Sequence, residues 1–162
     1  MWHWLLKLFG QGLKEEEQEL TFLSTPDDKI SKITSREYRI RMRTLGIISL
    51  TYPQTLDSEY FLTSKKELDR IAPNLVYSSD WYMNDIYDCE DYACQAMLDA
   101  GRLHGISARL TMGQTELGYH GFVSTLDTDG NLWMLEPNGG FEWAGEWFKQ
   151  GEHGYIADKV FV

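Results

Sequence analysis

The chain has 162 residues and a mass of 18.8 kDa, which suits one folded domain with a short extension. Hydrophobic residues make up 43% and aromatic residues 14%, so the chain can bury a core without disulfides, and a disordered linker is excluded. The formal net charge of -10 opposes contact with phosphate backbones, and we therefore expect no nucleic-acid partner.

The N-terminal segment is predicted to be an appendage to a single domain. Residues 1–10 are apolar and aromatic in the manner of a short amphipathic helix, and an acidic run follows at residues 15–19. The apolar run is too short for a transmembrane segment and lacks the basic leader and cleavage site of a signal peptide. We expect residues 1–20 to pack on the domain or dock on a partner, residues 21–162 to form the domain, and the location to be cytoplasmic.

The first half of the domain is predicted to hold one strand and one helix. Between residues 31 and 52, apolar residues alternate with arginines, a pattern that predicts a strand with one solvated face. Its basic residues are Arg36, Arg39, Arg41 and Arg43. They could form either that solvated face or a patch that binds a partner. A helix is expected to begin at Thr63 or Ser64 and to run to about Ala72, because Pro73 cannot continue it.

The second half predicts a helix followed by short strands. Asp88 is a favourable N-cap, apolar residues then recur at helical spacing from Cys89, and Gly101 is expected to end the helix. Residues 108–112, 121–126, 132–135 and 155–162 are predicted strands, and the turn sequence at 127–131 predicts a hairpin. The predicted fold class is α+β, with a central helix that carries Cys89 packed on an antiparallel β-sheet.

Cys89 is the residue with the clearest chemical potential in the sequence. At a helix N-terminus, free backbone N–H groups and the helix dipole stabilise a thiolate and can bind an oxyanion. Folding the predicted hairpin about its turn places His120 opposite about Pro137, within reach of Glu136. A carboxylate there fixes the tautomer of the imidazole, so the order Cys89, His120, Glu136 is that of a cysteine nucleophile with its base and orienting acid.

The segment Asp-Cys-Glu-Asp-Tyr-Ala at residues 88–93 resembles the nucleophile motif of bacterial transglutaminase-like cysteine peptidases, the LapG-type group in particular. The resemblance extends over roughly residues 60–140 and implies a papain-like or transglutaminase-like core in which Cys89 is the nucleophile, His120 the base and Glu136 the acid. The Glu-Pro-Asn sequence at 136–138 departs from that group. It is similar instead to papain-like domains of the mushroom-agglutinin type and to phage proteins that resemble them, with Asn138 as an alternative orienting residue.

The resemblance also implies a calcium site beside the cysteine. Its ligands would be the carboxylates of Asp88, Glu90 and Asp91, with Asn84 as a further oxygen ligand, because Ca²⁺ prefers hard oxygen donors. The alternative is a set of helix-capping residues without a metal. Asn84 could instead donate a hydrogen bond to an oxyanion. The preceding Trp81 and Tyr82 could either line a substrate cleft or pack against the start of the helix.

These features together predict a cysteine hydrolase that acts on a protein or peptide substrate through an acyl-thioester intermediate. The sequence leaves open whether it is a protease, a deamidase or a transglutaminase, and acyl transfer to a small molecule is a further alternative. The competing prediction is a catalytically inactive papain-like scaffold or binding module, able to bind calcium, in a phage or multiprotein assembly. The absence of a signal peptide favours an intracellular or phage-encoded origin.

Overall fold

The structure, a computed structural model, describes residues 30–50 and 57–162. The predicted N-terminal helix and the domain boundary at residue 20 lie outside these ranges. The α-helices and strands, in chain order, are β1 (Ser31–Thr34), α1 (Ser35–Thr44), β2 (Ile48–Leu50), β3 (Glu59–Leu62), α2 (Lys65–Ile71), α3 (Cys89–His104), β4 (Arg109–Thr115), β5 (Gly118–Leu126), β6 (Leu132–Leu135), β7 (Trp147–Phe148) and β8 (Ile156–Phe161).

A six-stranded sheet in the order β2-β8-β4-β5-β6-β7 forms the centre of the fold, and β1 pairs with β3 in a separate two-stranded sheet. Alternate residues of β5 are buried on opposite faces: Phe122 packs in a cluster with α1 and β3, and Val123 in a cluster with α2 and α3. The sheet therefore has a core on each side. The predicted arrangement of a central helix on an antiparallel sheet is wrong, because the sheet is central and β2 runs parallel to β8.

The arginine-rich segment is a helix, and the predicted strand is wrong. Thr34 caps α1: its hydroxyl accepts a hydrogen bond from the backbone N–H of Glu37, and the Glu37 carboxylate accepts one from the N–H of Thr34. Tyr38 and Met42, four residues apart, are both buried on the same side of α1. Over this short stretch the spacing of the apolar residues is compatible with both a strand and a helix. The N-cap at Thr34 favours the helix.

The other two helices begin where the sequence predicts. Ser64 caps α2, and α3 begins at Cys89 directly after Asp88. The predicted end of α3 at Gly101 is wrong, because the helix continues to His104 and stops at Gly105, whose left-handed φ of 68° suits a glycine. No helix within the described ranges has the length and apolar character needed to cross a membrane.

The predicted hairpin is confirmed. β5 and β6 pair antiparallel, with Val123 opposite Leu135 and Ser124 opposite Met134. The register differs by one residue from the predicted one, so that the continuation of the ladder places His120 opposite Asn138. The final strand is also confirmed, as β8, and lies between β2 and β4.

Candidate functional site

The N-terminus of α3 lies against β5, and this contact brings Cys89 to His120. Gly121 makes the approach possible, since a Cβ atom there would lie 3.1 Å from the Cα and N atoms of Glu90. His120, the neighbour of Gly121, is thereby brought to the Cys89 side chain, while the Cys89 thiol itself donates a hydrogen bond of 3.3 Å to Oε2 of Glu90. A glycine beside the predicted base is thus the residue that allows the strand and the helix to meet.

Glu136 is the buried anchor of the cluster, with only 1% of its surface exposed. Its Oε2 atom lies 2.7 Å from Nε2 of His120 and accepts a hydrogen bond of 2.8 Å from the hydroxyl of Tyr155. Its Oε1 atom accepts a bond of 2.9 Å from the backbone N–H of Asn138. Three donors therefore compensate the burial of this carboxylate.

The structure thus brings Cys89, His120 and Glu136 together, while the other polar residues predicted at the site have different partners. The Asn138 side-chain oxygen accepts from the N–H of Gly140 at 2.9 Å. The Asn84 amide donates to the carboxylate of Asp85 at 2.7 Å on an exposed loop. The role predicted for Asn84 is to donate to an oxyanion, and the role predicted for Asn138 is to orient the histidine. Both stay predictions.

Tyr155 is the member of this cluster that sequence reasoning missed. It directly precedes β8, nineteen positions beyond Glu136, and belongs to no motif. Its ring also packs edge-on against His120, with the ring centroids 5.9 Å apart. Only the pairing of β8 beside β4 places it there, and that pairing has no local signal in the sequence.

The electrostatics of the cluster favour a charged imidazole. Burial alone would lower the pKa of His120, but its hydrogen bonds to Cys89 and Glu136 and the charges of both partners raise this pKa to about 9. Burial and the nearby Glu136 charge raise the pKa of Tyr155, which therefore keeps its proton and donates. A charged imidazole therefore lies beside the Cys89 side chain.

Some of the acidic residues around Cys89 are arranged so that they could bind a cation. One ligand atom each from Asp88, Cys89 and Glu90 lie within 4.8 Å of one another. The Oδ1 atom of Asp88 is buried and accepts no hydrogen bond from the described residues, which is what a missing cation would leave behind. The Asp91 carboxylate accepts instead from the backbone N–H of Asp88 at 3.1 Å. Asp88 and Glu90 therefore fit Ca²⁺, and Asp91 acts as a helix cap.

A second feature lies in the loop that leads into α3. We call it the aromatic shelf; it borders a cavity of about 460 Å³ and consists of Asp80, Trp81, Met83 and Tyr87. Trp81 is 50% exposed. It is supported from behind by Tyr77, with ring centroids 5.8 Å apart, and at its edge by Tyr87, at 6.3 Å. The shelf is thus a fixed aromatic surface with a carboxylate at its border.

The fold of this chain is similar to that of several solved structures, and two of them are compared with it. One is described as a complex of PSL1a with E64; it has a TM-score of 0.60 and 14% sequence identity, over 81% of this chain and 51% of that one. The other is Polyporus squamosus lectin bound to the human-type influenza-binding epitope Neu5Aca2-6Galb1-4GlcNAc, with a TM-score of 0.57 and 13% identity, over 81% and 49%. This chain therefore spans about half the length of the solved chains it matches. No protein-family model and no curated protein matches it.

These findings correct the family and the activity predicted from the sequence. One of these two structures is described as a lectin and neither as a peptidase, so the assignment to papain-like or transglutaminase-like peptidases of the LapG type is wrong, and with it the prediction of a cysteine hydrolase. A six-residue motif at a helix N-terminus, followed by a histidine and an acid on one hairpin, did not suffice to identify the family. The predicted alternative, a binding module, agrees better with the neighbours.

Proposed function

We propose that this chain is a carbohydrate-binding module and that the aromatic shelf is its binding surface. The observation that carries the proposal is Trp81, which presents an exposed ring over a cavity bordered by the Asp80 carboxylate. Large aromatic side chains are usually withdrawn from solvent, and one that is held exposed by other rings favours a ligand-binding role.

The chemistry of the aromatic shelf suits a sugar. The C–H face of a pyranose ring is apolar and packs on an aromatic ring, while its hydroxyl groups need acceptors, which the charged oxygens of Asp80 provide. Met83 and Tyr87 add apolar surface to the same cavity. An apolar cavity with a few polar groups at its border is the usual form of a small-ligand site.

The fold neighbours support the same class of ligand. One of them is a lectin described with a bound trisaccharide, Neu5Aca2-6Galb1-4GlcNAc. Because this chain spans only half of that protein, the trisaccharide is a first probe and the ligand of this chain is proposed only as a glycan. A peptide substrate has no support from these neighbours.

A panel of immobilised glycans that includes this trisaccharide tests the proposal. We expect the wild-type chain to bind at least one glycan and Trp81→Ala to weaken that binding by about tenfold, the loss expected for one aromatic contact. The matched control is Ile86→Ala, since Ile86 is 72% exposed in the same loop but does not border the cavity. Equal binding by the wild type and Trp81→Ala would contradict the proposal.

We also propose that Asp88 and Glu90 bind Ca²⁺ and that Cys89, His120 and Glu136 form one hydrogen-bonded unit next to it. When bound, the cation would offset the negative charge at the start of α3. The orphaned Oδ1 atom of Asp88 supports the calcium site. The hydrogen bonds of His120 and Glu136 support the unit. The cytoplasmic location and the phage-encoded origin stay predictions from the sequence.

A further inference from the structure

We propose that a pocket at the end of α1, on the opposite side of the sheet from α3, binds the phosphate or sulfate group of a ligand. The pocket has a volume of about 310 Å³ and lies between α1 and β2. We call it the arginine pocket; its lining residues are Arg39, Arg43, Gly46, Ile47, Ile48 and Ser49. This inference does not depend on the proposed sugar-binding function.

The two arginines of the pocket are positioned to act together. Arg39 and Arg43 are four residues apart on α1, so their side chains leave the helix on the same side, one turn apart. Each guanidinium is permanently charged and carries several N–H donors in a plane, which matches the oxygens of phosphate and sulfate. Two such groups at one pocket can hold an oxyanion from two directions.

These arginines have no ion-pair partner within the described ranges, although acidic residues outnumber basic ones by 25 to 15. Other arginines of the same structure do form such pairs. The pairs are Arg70 with Glu67, Arg102 with Asp99 and Arg109 with Asp57. None of the six residues that line the arginine pocket is acidic, so its positive charge is available to an anion.

Ser49 provides an independent indication of a ligand. Its hydroxyl oxygen is buried and forms no hydrogen bond with the described residues. A buried hydroxyl without a protein partner is uncommon, and the residue that carries this one lines the arginine pocket. A carboxylate accepts hydrogen bonds mainly in one plane, whereas a hydroxyl and two guanidinium groups that approach from different residues supply donors in more than one plane. A tetrahedral oxyanion with three or four oxygens fits this set.

Calorimetric titration of the full chain with inorganic phosphate, sulfate and malonate tests the proposal, with chloride used to hold the ionic strength constant. We expect saturable binding of phosphate and sulfate at one site. Arg39→Gln and Arg43→Gln should each weaken it by about tenfold, the loss of one charge-assisted contact, and Ser49→Ala by a smaller factor.

The matched control is Arg36→Gln, which removes the same charge from the same helix at an exposed position outside the pocket. We expect it to change phosphate binding by less than about twofold. The proposal would be overturned by the absence of saturable binding, by binding of malonate alone, or by equal weakening in Arg36→Gln and Arg39→Gln. An Arg43→Gln variant that loses thermal stability but keeps full phosphate binding would show that Arg43 serves only the helix dipole.

Discussion

The hydroxyl of Tyr155 donates a 2.8 Å hydrogen bond to Oε2 of Glu136, the same oxygen that lies 2.7 Å from Nε2 of His120. Both donors are needed because Glu136 is almost completely buried. We predict that Tyr155→Phe lowers the free energy of unfolding by about 1–3 kcal/mol, since it leaves a buried carboxylate short of one donor. Urea denaturation measures the change.

The matched control for this prediction is Tyr119→Phe, because the Tyr119 hydroxyl donates to Asp158 at an exposed position. We expect that substitution to change the free energy of unfolding by less than about 0.5 kcal/mol. Equal stability of the two variants would show that Tyr155 is not required to hold Glu136.

The stability of the protein should depend on the protonation of His120. Its hydrogen bonds and charged partners raise its pKa to about 9 in the folded state, above the value of about 6.5 in an unfolded chain. The stabilisation is therefore complete below pH about 6.5 and is lost as the pH rises through about 9, with an upper size of ~3 kcal/mol. Urea denaturation between these pH values measures it.

His120→Gln is the reference for this titration, because other groups also lose protons in the alkaline range. We expect the wild type and the variant to differ most in the free energy of unfolding at low pH and least above pH about 9. A difference that stays constant across the whole range would contradict a raised pKa for His120.

Cys89 should react with iodoacetamide faster than Cys94. His120, charged at neutral pH because its pKa is raised, lies beside Cys89, whereas burial raises the pKa of Cys94 and the carboxylates of Asp91 and Glu90 raise it further. We predict that His120→Gln slows the alkylation of Cys89 by about tenfold and leaves Cys94 unchanged. Peptide mass spectrometry follows both thiols in one sample, so Cys94 is the internal control. Equal rates at the two cysteines would contradict an activating role of His120.

Calcium should raise the melting temperature of the protein relative to a sample with chelator. Occupation of the Asp88 and Glu90 site by excess Ca²⁺ is expected to add about 1–3 kcal/mol. Asp88→Asn should abolish the increase, because it removes the charge of the only site oxygen that is both buried and unpaired among the described residues. Glu142→Gln, at an exposed position, should leave it intact. A melting temperature indifferent to calcium would exclude the site.

Local signals predicted several elements of the fold. The caps at Ser64 and Asp88 and the turn at 127–131 are short-range features, and the elements they imply are present. The arginine-rich segment was misassigned because its apolar residues satisfy both periodicities, and only the cap at Thr34 separates them. The parallel pairing of β2 with β8 joins distant parts of the chain and had no local signal.

Local signals in the sequence also predicted part of the candidate site. The hairpin register placed Glu136 near His120, whereas the approach of α3 to β5 depends on Gly121 and could not be read from the cysteine motif. For Trp81 and Tyr82 the sequence predicted either a place in a substrate cleft or packing against the start of the helix, since the exposure of a side chain depends on tertiary contacts. Family and activity were misjudged, because the arrangement of three side chains does not identify a fold.

Carbohydrate binding is tested most directly by an NMR titration that follows the indole N–H of Trp81 while Neu5Aca2-6Galb1-4GlcNAc, or the best glycan from the panel, is added. We expect saturable shifts for Trp81 and for the backbone N–H groups of Asp80 and Tyr87, and the loss of these shifts in Trp81→Ala. Shifts confined to other residues, or turnover of a peptide that requires Cys89, would contradict a carbohydrate-binding module.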